Sequence, residues 1–181
     1  MIEKSNMKKF VLINSIFIFL FGFIAHNLYN WFPSFLTIIF PVNESLYEHL
    51  KLIFIVPIII GTILYFVSYK KKDYHNYFFS LFITVLANIL IFYAIFLPIY
   101  YRFGENMIIT FIVYFISILL SQVINYYLLN LINDRWWLNI VAGILFVVSS
   151  IVLIYFTYNP LRNPFFFDPN KEVYGLEESE I

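Results

Sequence analysis

The sequence predicts an all-α fold: a polytopic integral membrane protein with five transmembrane helices and a short interfacial segment between the first two. Three observations predict it. The 181 residues are 62% hydrophobic and 12% charged, against about 45–50% and about 25% in a soluble domain, and mean hydropathy is +0.83. Five apolar runs are each long enough to cross a ~30 Å hydrocarbon core at 1.5 Å per residue. No Asp, Glu, Lys or Arg falls in the central part of any run. That much apolar surface cannot be hidden in water, so the bilayer itself is the first partner.

The runs are Phe10–Trp31, Leu46–Tyr69, Tyr77–Tyr101, Met107–Asn130 and Trp137–Tyr158. The first lacks a small-residue cleavage site and is read as a retained helix rather than a signal peptide. Between the first two runs, Phe32–Pro41 is too short to span and too apolar for a free loop, which predicts an interfacial or re-entrant segment. Pro57 and Gly61 in the second run and Pro98 in the third are candidate kink points. Residues 1–158 thus form a transmembrane domain, and 159–181 an aromatic, Pro-rich tail packed at the outer interface. In that tail Pro160, Pro164 and Pro169 prevent a continuous helix. Phe165–Phe167 should dip into the interface, and Asp168-Pro169-Asn170 reads as a turn. The tail either folds over the mouth of the bundle as a lid or is held only by its aromatics. Glu177, Glu178 and Glu180 read as a solvated terminus.

Orientation follows from Lys and Arg in short loops. With the N-terminus inside, seven cationic residues (Lys4, Lys8, Lys9, Lys70–Lys72, Arg135) face the cytoplasm and four (Lys51, Arg102, Arg162, Lys171) face out. The prediction is a cell-membrane protein, N-terminus cytoplasmic and C-terminus outside. His75, in the Lys-rich loop, has no role in this reading.

Composition also excludes. A net charge of zero leaves no electrostatic footprint for nucleic acid. The absence of cysteine removes disulfides, thiolate metal sites and a Cys nucleophile. There is no GxGxxG, Walker or GxSxG sequence. Charge-free span centres argue against a proton pump or a charge-coupled transporter. The mid-membrane polar residues Asn14, Asn88, Ser117, Ser121, Gln122, Asn125 and Asn139 read as interhelical hydrogen-bonding groups, with Ser117, Ser121 and Asn125 forming one stripe of the fourth helix.

The informative stretch is Phe40–Lys51, FPVNESLYEHLK. Ser45-Leu46-Tyr47-Glu48 has the capping-box spacing: Ser45 accepts from the Glu48 amide and Glu48 reaches back to the Ser45 amide. That gives Ser45 and Glu48 a structural job and leaves Asn43, Glu44, His49 and Lys51 unexplained. On a helical wheel Glu44, Glu48 and Lys51 form one stripe and Ser45, His49 and Leu52 the next. Ionisable groups at this depth should face the bundle interior. His26 ends the first helix at the same depth. His26, Glu44, Glu48 and His49 are therefore the candidate catalytic cluster, with Asn43, Ser45, Lys51 and Asp168 in support. Lys51 should pair with Glu44, Glu48 or Asp168. Two histidines and a carboxylate are donors for zinc or a similar divalent ion, with His26, His49 and Glu48 as the candidate ligands. The same groups serve equally as an acid/base pair.

Those residues carry a resemblance. A His near the end of helix 1, then Pro41-Val42-Asn43-Glu44-Ser45, Glu48-His49 and Lys51, then an aromatic-Asp168-Pro169 tail ending in Tyr174-Gly175, resembles an uncharacterised family of small bacterial multi-pass membrane proteins. The resemblance implies the helical membrane fold and no known activity. In the family tail a Thr-Gly turn stands where this chain has Asn170-Lys171-Glu172.

Three function classes follow. The thin charge inventory favours a small non-catalytic partner or assembly subunit of another membrane protein. The His/Glu cluster favours a membrane-embedded enzyme with an outward-facing site, metal-bearing or not, acting on lipid or envelope substrates. A small solute-binding or transport unit is the third.

Overall fold

The computed structural model describes residues 4–32, 36, 39–68, 76–104, 106–131 and 135–176. Five helices, α1 (Lys4–Trp31), α2 (Leu46–Ser68), α3 (Tyr77–Phe103), α4 (Met107–Leu131) and α5 (Trp136–Tyr158), precede a two-stranded antiparallel hairpin of β1 (Phe167–Asp168) and β2 (Val173–Tyr174). All five helices are long and apolar enough to span a membrane. The chain is a multi-pass membrane protein. Helices α2 and α3 continue through Pro57 and Pro98. Of the expected interfacial segment, Leu36, Ile39 and Phe40 form a tight turn in which the Phe40 amide donates to the Leu36 carbonyl at 2.9 Å. Residues 33–35 and 37–38, the 69–75 loop with His75, and Glu177, Glu178 and Glu180 lie outside the described residues.

Helices α1 to α4 close into a ring, α1 packing on α2 and α4, and α3 on α2 and α4, while α5 lies outside against α3 and α2. Ring contacts give the directions. Phe23 meets Phe111 and Phe19 meets Phe115, so α1 and α4 are antiparallel. Phe54 and Phe82 both meet Phe146, which wedges α5 between α2 and α3. One end of the bundle, here the upper end, therefore carries the end of α1, the starts of α2 and α4, the ends of α3 and α5, and the tail.

The polarity is that of a protein solvated by hydrocarbon. Leu12, Phe17, Ile63, Leu90, Ile112, Ile144 and Ile151 point outward, while Asn14, Ser80, Thr84, Asn88, Ser117, Ser121, Gln122 and Asn125 are buried. Unpaired polar groups are expensive in the bilayer, and several of these turn to one another, while the Asn14 and Asn88 side-chain oxygens have no partner among the described residues. Ser80 donates to Asn125 at 2.8 Å, Asn125 to Gln122 at 3.1 Å and Asn14 to Gln122 at 3.2 Å, tying α3, α4 and α1 together. Asn139 of α5 accepts the first-turn amides of Phe78 and Phe79, capping α3 from a neighbouring helix. The α4 stripe is only partly interhelical. Ser117 and Ser121 donate to the carbonyls of Tyr114 and Ile118 in their own helix, because a serine three residues on reaches its own backbone before a neighbour's.

The tail is docked. The Tyr47 amide donates to the Phe165 carbonyl at 2.9 Å, Phe166 stacks on Tyr47 at 4.4 Å between centroids, and Phe165 lies against Tyr93. Asn43 donates to the Gly175 carbonyl at 2.8 Å. The hairpin turn forms without glycine. Asp168 accepts the amides of Asn170 and Lys171 on one carboxylate oxygen, and Glu172 takes the left-handed conformation at φ 59°. Gly175 has φ +66°, and a Cβ there would lie 2.6 Å from the Thr157 carbonyl oxygen. Gly175→Ala should therefore release the tail, costing more than about 1 kcal/mol, seen as a lower melting temperature and faster limited proteolysis beyond residue 158. Unchanged proteolysis would show that this contact does not hold the tail.

Candidate functional site: two polar clusters at the mouth of α2

Around the start of α2 the amides of Val42, Glu44, Ser45, Tyr47, Glu48 and His49 are paired. Asn43 Oδ1 accepts the Ser45 amide at 2.9 Å, and Ser45 Oγ, as N-cap, accepts the Glu48 amide at 3.3 Å. Only half of the expected capping box exists. Glu48 does not return to Ser45, whose amide Asn43 has taken; its Oε2 accepts the Val42 amide at 3.3 Å instead. The Glu44 amide donates to Asp168 Oδ2 at 2.9 Å. Asp168 is thus a buried splint between the tail and α2.

From this platform the ionisable side chains leave in two directions. Glu48 and Lys51, one turn apart, face α5. Lys51 Nζ lies 2.8 Å from Glu48 Oε2, and Thr157 Oγ1 donates to Glu48 Oε1 at 2.9 Å while accepting from Lys51 at 3.1 Å. Lys51 is 0% and Glu48 1% exposed. This is a closed, charge-compensated lock. Sequence reasoning missed Thr157, because a threonine near the end of an apolar helix carries no signal of its own.

The second cluster is His26, Glu44 and His49. Glu44 Oε2 lies 3.3 Å from His26 Nε2 and 3.8 Å from His49 Nε2, and the two imidazole centroids are 5.4 Å apart. Ligand atoms of the three residues all lie within 4.8 Å of one another. The metal set expected from sequence, His26, His49 and Glu48, is corrected in one member: Glu44 takes the place of Glu48. The helical wheel failed there for a physical reason. Glu44 precedes the N-cap, so α-helical periodicity does not apply to it, and the Asp168 bond to its amide sets its direction. Within the helix the wheel holds, since the adjacent Glu48 and His49 do face different sides.

His49 Nδ1 is 3.0 Å from the Ser45 carbonyl. A carbonyl only accepts, so Nδ1 carries the proton and Nε2 is the atom turned to Glu44. Metal-binding histidines are commonly oriented in this way. The Glu44 carboxyl is held below its ordinary value of 4.5, first by the His26 hydrogen bond, against the opposing effect of partial burial, and further by the charges of His26, His49 and Lys171.

The triad forms the roof of a cavity of about 380 Å³ inside the four-helix ring, with apolar walls from Leu52, Ile53, Phe92 and Phe111, and with Asn170 of the hairpin turn at its edge.

Residues 1–176 match a family of unknown function, DUF6512. The chain belongs to that family. No curated protein and no solved structure matches it.

Two outcomes test this division. Lys51→Met, which leaves Glu48 buried and unpaired, should cost about 3–5 kcal/mol, with part recovered in the Glu48→Gln/Lys51→Met double variant in a denaturation series. For Glu44 the folded pKa is depressed, so its stabilisation is present above pH 4.5 and is lost as pH falls through the lower folded value. The melting-temperature advantage of the wild type over Glu44→Gln should narrow below that pH; a constant advantage would exclude a charged Glu44 as its source.

Proposed function

We propose that this chain is a membrane-embedded, metal-dependent enzyme of the hydrolytic class, with a divalent ion, zinc by its donor set, held by His26, Glu44 and His49. The observation that carries the reading is the convergence of two imidazole nitrogens and one carboxylate oxygen at the roof of a largely apolar cavity. Zinc takes such ligands at about 2.0–2.2 Å, so the three side chains would draw in by small rotamer adjustments. Three protein ligands would be the donor count of catalytic rather than structural zinc. When bound, such an ion would supply Lewis-acid activation of water for hydrolysis near neutral pH. The Ser45 carbonyl keeps His49 in the metal-binding tautomer, and Asp168 keeps Glu44 in place. The apolar walls suit a substrate with a hydrophobic part. The loop charges favour the N-terminus in the cytoplasm and the site on the outer side.

Metal analysis of the purified protein tests the reading. About one equivalent of zinc or a similar ion is expected, lost in His49→Ala and Glu44→Gln with the fold retained. A metal-free wild type would overturn it. If a membrane protein also co-purified in stoichiometric amount, the partner-subunit reading would take its place. Reporter fusions at the two termini should give opposite-side signals, cytoplasmic at the N-terminus.

A further inference from the structure

The cavity has, among the residues that line it, one that carries a buried hydroxyl the metal reading leaves unused. Tyr114 of α4 lines it, is 7% exposed, and its hydroxyl has no hydrogen-bond partner among the described residues. A buried hydroxyl without a partner is costly, and phenylalanine would fill the same space without that cost. The ring reaches its position only because residue 22 is glycine: a Cβ there would lie 2.8 Å from both Tyr114 Cε1 and its hydroxyl oxygen. Gly22 stands one helical turn before His26, so the Tyr114 hydroxyl sits about 6 Å deeper than the triad along α1.

The rim shows the route in. Phe23 and Asn27 of α1 and Met107 of α4 line the cavity and are exposed on the surface of a membrane-spanning bundle. Below them the seam between α1 and α4 is closed by an aromatic contact, Phe19 on Phe115 at 4.9 Å. The cavity is thus polar at its roof, apolar along most of its walls, accessible between α1 and α4, and bordered one turn down by the Tyr114 hydroxyl.

We infer that the ligand is a single-chain amphiphile from the membrane, with an oxyanion head at the His26–Glu44–His49 roof and an acceptor oxygen, such as an acyl ester carbonyl, on the Tyr114 hydroxyl. The inference rests on the metal reading for its head group and on Tyr114 for the rest. The three-carbon spacing between a phosphate and an acyl ester in a monoacyl glycerol phosphate matches the separation. Decyl phosphate has a phosphate monoester head on a ten-carbon chain and lacks the ester and the glycerol hydroxyl, so the Tyr114→Phe comparison isolates the ester contact.

The test measures binding of 1-decanoyl glycerol 3-phosphate, decyl phosphate and inorganic phosphate to detergent-purified wild type and Tyr114→Phe, with metal content read on the same samples. The wild type should prefer the ester probe over decyl phosphate about five- to tenfold, as one net hydrogen bond provides. Inorganic phosphate should bind more weakly than either. Tyr114→Phe should abolish the preference, leave decyl phosphate binding and metal content unchanged, and raise the melting temperature of the ligand-free protein. Equal affinity for the two lipids in metal-loaded wild type, or an unchanged preference in Tyr114→Phe, overturns the inference alone. Inorganic phosphate binding as tightly as the lipids overturns its lipid component. A wild type without metal overturns the metal reading, and the oxyanion head falls with it.

Discussion

The Glu48 carboxylate is buried at the mouth of α2, and the upper end of the molecule is organised around that charge. An ion removed from water must be repaid by a counter-ion and by hydrogen bonds of good geometry. Lys51 supplies the counter-ion from one turn further along α2, Thr157 a hydroxyl from α5, and Val42 an amide from the segment before the helix. Three separate stretches of chain are thereby drawn to one point. Once Thr157 is held there, Gly175 can pass over its carbonyl and the tail has a seat.

Docking of the tail then sets the second cluster. Asp168 uses its two carboxylate oxygens for different tasks, one forming the hairpin turn and the other receiving the Glu44 amide. Glu44 lies just outside the helix, where backbone direction is not dictated by helical hydrogen bonds, and this contact helps direct its side chain to the histidines. The His26–Glu44–His49 geometry depends in this way on a residue 124 positions away in the chain. The lock on the α5 side and the cluster on the cavity side differ in kind. The first is saturated with partners and built to stay closed. The second is half-buried, borders a cavity, and has a histidine whose backbone bond orients its remaining nitrogen.

The bundle below follows the logic of a hydrocarbon solvent. Apolar burial supplies little drive between helices in lipid, so association rests on packing and on hydrogen bonds such as the Ser80–Asn125–Gln122–Asn14 chain. Close approach at glycine contributes in two places. Gly61 meets Leu81 and accepts the Tyr77 hydroxyl on its carbonyl, and Gly22 admits the ring of Tyr114.

Much of this was legible in the sequence because it depends on local or averaged properties. Span number follows from hydropathy and length. The N-cap at Ser45 follows from side-chain chemistry beside a helix start. The inward direction of His49, Glu48 and Lys51 follows from the cost of charge near hydrocarbon and from helical periodicity. Tertiary structure alone decided how the carboxylates divide, since Glu44 lies beyond the reach of that periodicity and its direction is set by Asp168. It also decided that Thr157 completes the lock and that Gly22 and Tyr114 shape the cavity. In the sequence these are a threonine, a glycine and a tyrosine among many in apolar helices. Their chemistry arises only from which helix faces which, and that pairing is a property of the whole bundle.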